Sequence, residues 1–310
     1  MRIDIAAQSD TGRRKKDNED SFGVFREDTP DLRLFRNGAL LIVADGLGGH
    51  MGGEIASKLA VSMMKDVMKE SLPPSREDGD QDAANLALMC RYVEKANASV
   101  FQTNQDLNPN GKPMGTTLAT GLITPRKVHI CNVGDSRVYH IRDGEIIGQT
   151  EDHSWVDEQV KLGLMSKAEA EVDYRKNVVT RSIGTRAEVT VDTYTWHIVP
   201  GDWVMLCSDG LVNMVKDADI CEEFRKGGNA AEITARLINQ ANENGGKDNV
   251  TVIAANISPS LFHLLYFALR ALKRKHGFML LWFVISLILG LAGFVAGYLY
   301  RDGGNLLPIF

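Results

Sequence analysis

The order of apolar and polar segments predicts an α+β sandwich, with helices packed outside mostly antiparallel sheets, followed by one C-terminal transmembrane helix. Three observations carry this. Strand-like runs come in groups separated by pairs of helical segments, which does not fit the one-for-one alternation of a parallel βα fold. The run ALLIVA (39–44) is apolar throughout, as expected for a strand covered on both faces. Residues 278–300 carry no charge. At about 1.5 Å per residue that stretch spans a hydrocarbon core of roughly 30 Å.

The elements follow in order. Residues 2–8 read as a short strand, and 22–25 and 39–44 as two more. Residues 53–70 show helical periodicity through Ile55, Leu59, Met63 and Val67. SLPPSREDGDQD is a loop. A second helix is predicted over 83–104, with Leu86, Met89, Val93, Ala96 and Val100 on one face. After a turn at 108–113, strands are expected at 117–123, 128–133 and 137–141, and Asp143-Gly144 signals a hairpin. Residues 152–185 are polar and mixed, and read as a flap holding a short helix around 156–161. Strands resume at 189–197, 203–207 and 250–257, with helices at 217–225 and 230–241 before the last of them. No internal repeat is visible.

The chain has 310 residues and a formal net charge of −5, which argues against nucleic acid as a partner, since a phosphate backbone calls for a basic footprint. The four cysteines have no zinc-site or disulfide spacing and read as reduced, buried thiols. The N-terminus lacks the apolar core of a signal peptide. Lys273, Arg274 and Lys275 precede the uncharged run and only Arg301 follows closely, so the positive side, residues 1–276, is expected to face the cytosol. Trp282, Tyr298 and Tyr300 suit interfacial positions, and 261–272 reads as a helix lying at the interface. Gly293 and Gly297 form a GxxxG pair that would let two spans approach as a dimer. The expected organisation is a folded domain (1–258), a basic, amphipathic juxtamembrane segment (259–277), a single-pass span of the inner, cytoplasmic membrane (278–300) and a short extracytoplasmic tail (301–310).

Chemistry gathers at acidic turns. Glu19 and Asp20 in DNEDSF, Asp45 in LLIVADGLGG, Asp135 in CNVGDSR, Asp209 in VMLCSDGL and Asp248 in GGKDNVTVI all sit where an apolar strand meets a turn. Such a set suggests one negative pocket, which is hard to stabilise without bound cations. Donors rich in Asp, poor in His and without Cys select Mg²⁺ or Mn²⁺ over zinc. Glycine after Asp45 and Asp209 lets the backbone approach a ligand closely. Asp-Gly is also a common turn, and Asp143-Gly144 and Asp78-Gly79 are assigned to a hairpin and a plain loop.

Eight segments in order resemble the bacterial form of the type 2C (PPM-type) metal-dependent protein serine/threonine phosphatases. They are SDTGRRKKDNED (9–20), VADGLGGHMGGEIAS (43–57), GTT (115–117), VGDSRVY (133–139), TEDHSW (150–155), VVTRSIG (178–184), CSDGL (207–211) and KDNVTVI (247–253). The resemblance implies a four-layer α-β-β-α sandwich with two metal ions at one end. It implies that Asp45 bridges both ions, that Gly46 supplies its carbonyl, and that Asp209 and Asp248 complete one shell. Glu19 or Asp20 would hold the second ion, and Asp135 with Asp209 a third. Asn249 would brace Asp248, and the 152–185 flap would influence substrate choice. The implied reaction is hydrolysis of phosphoserine and phosphothreonine in proteins by a metal-activated water, with no covalent intermediate. The implied partners are phosphorylated targets of a serine/threonine kinase.

Two positions depart from the family pattern. An arginine that grips phosphate is usual five residues before Asp20. Here Lys15 stands there, keeping the charge but losing the bidentate fork, with Arg13 and Arg14 close enough to compensate. Animal relatives place a histidine after the bridging Asp-Gly, where this chain has Leu47. His50 reads as part of the glycine turn and His153 as a brace for the flap. A phosphatase-like scaffold, weak or inactive, is the alternative that Lys15 raises; hydrolysis of small phosphoesters or nucleotides is a third.

Overall fold

A computed structural model describes residues 2–26, 38–48, 51–69, 78–107 and 113–258. The chain divides into two compact units, Met1–Ser258 and Pro259–Phe310. The second unit, and with it the expected juxtamembrane, transmembrane and tail segments and the Gly293/Gly297 pair, lies outside the described residues. Among the described residues no helix is long and apolar enough to cross a membrane.

The first unit is built on two five-stranded antiparallel sheets. In the first, β1 (Arg2–Asp10) pairs with β12 (Val250–Ser258), then β11 (Trp203–Cys207), β8 (Arg137–Arg142) and β9 (Glu145–Gln149). In the second, the order is β10 (Asp192–His197), β7 (Lys127–Val133), β6 (Leu118–Ile123), β3 (Ala39–Ala44) and β2 (Ser21–Arg26). A two-stranded ribbon joins β4 (Gly46–Leu47) to β5 (Gly115–Thr116).

Strand alternation builds the layers, because successive side chains point to opposite faces. Leu41 and Val43 of β3 pack with Val204 and Leu206 of β11 and Ile253 of β12, filling the space between the sheets. Their neighbours Leu40 and Ile42 face outward, onto Ala56 and Ala60 of α1 (Met51–Lys65) and Met89 and Val93 of α2 (Asp78–Leu107). On the other side Met205 and Cys207 meet Ile220 and Phe224 of α6 (Asp217–Arg225) and Ile233 and Leu237 of α7 (Ala230–Glu243). These are the four layers α-β-β-α. Each such aliphatic side chain stabilises the fold by about 1.5–3 kcal/mol when fully buried.

Several local expectations are corrected. Asp78-Gly79, expected in a loop, opens α2. The strand expected from 189 begins at Asp192, and Val189 and Val191 instead pack against the outer core. Asp143 and Gly144 both have positive φ (52° and 75°) and close the β8–β9 hairpin as expected. The strand β9 itself was not foreseen, because adjacent Ile146 and Ile147 break the two-residue period. The 152–185 segment holds two helices, α3 (Trp155–Lys161) and α4 (Lys167–Val172), rather than one. The second is set by a capping box between Ser166 and Glu169.

Candidate active site

The acidic residues meet because each lies at the same rim of the two sheets. Asp20 precedes β2, Asp45 follows β3, and Asp135 lies in the turn between β7 and β8. Asp209 follows β11 as the first residue of α5 (Asp209–Val212), and Asp248 precedes β12. Antiparallel pairing makes the end of one strand the neighbour of the start of the next: Ser21 pairs with Ala44, and Cys207 with both Arg137 and Val252.

Their charges are crowded. Burial pushes the Asp45 carboxyl well above the usual range, and the charges of Asp20, Asp209, Asp135 and Asp248 push it further. Asp135 is raised by burial and then by Asp209 and Asp152. Burial and then Asp248 lift Asp209 to about 6, although a hydrogen bond with Asp45 and the Lys15 charge act the other way. Asp20 is lifted by burial to about 7, against hydrogen bonds from Thr251 Oγ1 (2.6 Å) and Ser208 Oγ (2.8 Å) to its Oδ2.

These raised values fix a pH dependence. In metal-free protein the folded state holds protons on Asp20 and Asp209 that the unfolded chain, with carboxyls near 3.8, has released. Stability that is full below pH 3.8 is therefore lost as pH rises through about 6 and 7. Thermal melts in chelator are expected to show a lower Tm at pH 8 than at pH 5, with added Mn²⁺ restoring it at pH 8. A Tm that stays level across this interval would contradict the crowding.

The segment between β1 and β2 carries the cations. Lys15 Nζ lies 2.6 Å from Asp248 Oδ1. Burial lowers the lysine pKa, but the hydrogen bond to Asp248 and the charges of Asp248, Glu19 and Asp45 more than offset this, so it stands above the ordinary value. The Arg13 and Arg14 N–H groups donate to the Gly246 carbonyl (2.7 and 3.2 Å). All three side chains are exposed, and it is Lys15 that pairs with a carboxylate of the cluster. Gly12 (φ +81°) packs against the Asp248 carbonyl, where a Cβ would collide.

Asn249 reaches further than the expected brace on Asp248. Its side chain spans the Lys15 segment: Nδ2 donates to the Thr11 and Asp17 carbonyls (2.9 and 3.0 Å), and Oδ1 accepts from Glu19 N–H (2.9 Å). Only its backbone N–H braces Asp248, at 2.9 Å from Oδ1. Gly46 is required by close approach, since a Cβ there would lie 2.5 Å from the Gly53 carbonyl and 2.7 Å from that of Glu19. Glu19 and Asp20 both lie near the cluster: the Glu19 charge acts on Lys15 alongside that of Asp45, and the Asp20 charge acts on Asp45. Leu47 is half-buried in β4, and His50 lies outside the described residues.

Sequence reasoning missed several supports. Asp152 is gripped by both Nε and Nη2 of Arg137, each at 2.8 Å. Ser208 and Thr251, which read as strand-end residues, hold Asp20. His153 is a brace, buried at 1% exposure. Its Nδ1 accepts from Gly134 N–H (3.1 Å), and its Nε2 lies 3.1 Å from Asp192 Oδ2. Within the 152–185 segment the Arg175 guanidinium lies 3.4 Å over the Trp155 ring, and Leu162, Leu164, Val172 and Tyr174 are exposed.

Residues 16–252 match the family described as protein phosphatase 2C. The chain belongs to that family. It is 35% identical over 246 residues to the serine/threonine phosphatase stp of Listeria monocytogenes serotype 4b, covering 79% of this chain and 92% of that one. A crystal structure of the Mycobacterium tuberculosis serine/threonine phosphatase PstP/Ppp superposes with a TM-score of 0.70 at 32% identity, over 84% of this chain and all of that one. The catalytic domain of PstP in complex with two manganese ions superposes at 0.67, also with 32% identity, over 83% and 99% of the two chains. The phosphatase 2C carboxylates of this chain fit hard cations. Their donors are all oxygen, and Asp20 Oδ1 is buried with no hydrogen-bond partner. Among the described residues no three His, Cys, Asp or Glu side chains are grouped closely enough to hold a metal ion by themselves. Ions held here would therefore need further ligands from carbonyl and water oxygens, as Mg²⁺ and Mn²⁺ commonly take.

Proposed function

We propose that this chain is a Mn²⁺- or Mg²⁺-dependent protein phosphatase that hydrolyses phosphoserine and phosphothreonine, held at the cytosolic face of the inner membrane by residues 278–300. The observation that carries the chemistry is the crowd of buried and half-buried carboxylates at one rim with the Lys15 ammonium beside them. Bound ions supply the charge that makes a water nucleophilic near neutral pH and that neutralises phosphoryl oxygens. Asp45, Asp209 and Asp248 would hold them, with Asp20 and Glu19 on the second ion, Asp135 on a third, and the Gly46 carbonyl completing a shell. Lys15 would draw a phosphate toward the cluster and orient it, and Arg13 and Arg14 stand exposed next to it in the chain. Asn249 keeps the Lys15 segment and Asp248 in one register. A serine/threonine kinase would supply the phosphoproteins. The membrane reading rests on the uncharged run and the basic residues before it, and pairing of two spans through Gly293 and Gly297 belongs to the same reading.

The scaffold alternative is not favoured, since the relatives that this chain resembles are named serine/threonine phosphatases. One experiment tests activity and location together. The full chain, expressed in bacteria, is separated into membrane and soluble fractions and assayed on a phosphothreonine peptide. Hydrolysis is expected in the membrane fraction, lost in excess chelator and restored by Mn²⁺, and truncation after Ser258 is expected to move it to the soluble fraction. Full activity in chelator would overturn the metal reading. Activity of the full chain in the soluble fraction would overturn the anchor.

A further inference from the structure

The GTT motif (115–117) is left without a task by the chemistry above. Both threonines are fully buried. Thr117 holds the Asp45 backbone from two sides. Its N–H donates to the Asp45 carbonyl at 2.8 Å, and its Oγ1 accepts from Asp45 N–H at 2.9 Å. The same Oγ1 lies 2.6 Å from Ser136 Oγ, beside Asp135. Thr116 Oγ1 also donates to the Asp45 carbonyl, at 2.8 Å. Two acidic turns on different strands thus converge on one hydroxyl.

Thr116 also faces the other way, toward the exit of the 152–185 segment. Its N–H donates to the Ile183 carbonyl (3.1 Å), and Ile183 N–H donates back to the Thr116 carbonyl (2.8 Å). Two asparagines of α2 clamp this junction. Asn104 Nδ2 donates to the Met114 and Gly184 carbonyls, both at 2.7 Å, and its Oδ1 accepts from Met114 N–H at 2.8 Å. Asn97 Oδ1 accepts from Gly184 N–H at 2.7 Å. Gly184, at φ +86°, packs on Val100 of the same helix with no room for a Cβ.

We propose that Thr117 is a positioning residue that fixes Asp45 relative to Asp135, and that Thr116 joins Asp45 to the exit of the 152–185 segment, so that metal binding and the placement of that segment are coupled. This rests on the reading of Asp45 as a metal ligand. Groups that orient metal ligands commonly change metal affinity 10–100-fold when removed. Coupling between two sites is reciprocal, so a contact that shifts the segment must also shift affinity for the ions.

The test uses the full chain in detergent, calorimetric titration with Mn²⁺, and hydrogen exchange. Thr117→Val keeps the shape and deletes the hydroxyl, and is expected to weaken Mn²⁺ binding by about 10–100-fold. Thr117→Ser is expected to restore most of that loss. Mn²⁺ is expected to slow exchange at Ile183 and Gly184 in the wild type and the serine variant, and not in the valine variant. If Thr117→Val does not fold, Thr116→Val is read in the same way for its lost bond to Asp45. A folded valine variant that binds Mn²⁺ like the wild type would overturn the positioning role. Unchanged exchange at 183–184 on Mn²⁺ saturation would overturn the coupling. A wild type that binds no Mn²⁺ would overturn the metal reading itself, and the inference with it.

Discussion

Asp209→Asn is expected to lower kcat/KM for a phosphothreonine peptide at saturating Mn²⁺ by about 10³-fold or more, while the metal-free protein stays folded. The loss corresponds to about 4 kcal/mol of transition-state stabilisation, in keeping with the several kcal/mol a Lewis-acid ion supplies. Asparagine has nearly the same shape and still offers one oxygen to Asn213 Nδ2, which lies 3.0 Å from Asp209 Oδ2. What disappears is a charge that Asp45 and Asp248 surround. Removing it relieves repulsion, so the Tm in chelator is expected to equal or exceed that of the wild type. This separates the effect from unfolding. Steady-state assays across a Mn²⁺ titration, with melts alongside, make the check, and activity within tenfold of wild type would remove Asp209 from the metal site.

Lys15→Met is expected to produce two opposed effects. Lys15 is the basic side chain that the structure brings to the carboxylates, so its loss is expected to lower kcat/KM for a phosphopeptide by roughly 10–100-fold, about 1.4–2.7 kcal/mol. The larger part should fall on KM, because the ammonium meets the phosphate before reaction as well as during it. Affinity for Mn²⁺ should move the other way. In the metal-free protein the lysine neutralises Asp248 at 2.6 Å, and an arriving cation must displace it. Both side chains are about two-fifths exposed, so solvent screens the pair and the gain is modest, roughly two- to fivefold. Calorimetry on the metal-free variant and peptide kinetics test the two halves. Mn²⁺ binding that weakens in Lys15→Met would show that the lysine supports the site instead of competing for it. Lys15→Arg is expected to keep most of the activity, since it keeps the charge and adds the fork.

Much of the architecture was legible because burial writes itself into the pattern. The fully apolar β3 announced a strand covered on both faces, and the spacing of Leu86, Met89, Val93 and Ala96 announced α2. The acids were legible for a related reason, since a carboxylate just after an apolar run has few places to go but the rim of a sheet. What stayed hidden depends on contacts between distant segments. Nothing in TEDHSW says that Asp152 will meet Arg137, and nothing in KDNV says that the Asn249 side chain will reach back to Thr11 and Asp17. Thr117, Ser208 and Thr251 look like ordinary strand-end residues until Asp45 and Asp20 stand beside them. The β9 strand escaped because two adjacent isoleucines gave no period, and α4 because a six-residue helix set by its caps has too few turns to show one.

The rim acids do not all belong to one sheet. Asp20 and Asp45 border the sheet that contains β3, Asp209 and Asp248 border the sheet that contains β12, and Asp135 lies in the turn that crosses from one to the other. Ions placed among them would act as rivets through two plates, joining layers that are otherwise held by apolar packing and a few hydrogen bonds such as those from Ser208 and Thr251 to Asp20. At free metal a hundredfold above its Kd, such a rivet adds about 2.7 kcal/mol to the fold. Metal supply would then govern the lifetime of the molecule as well as its turnover: starved of ions, the plates part more readily and proteases find the chain.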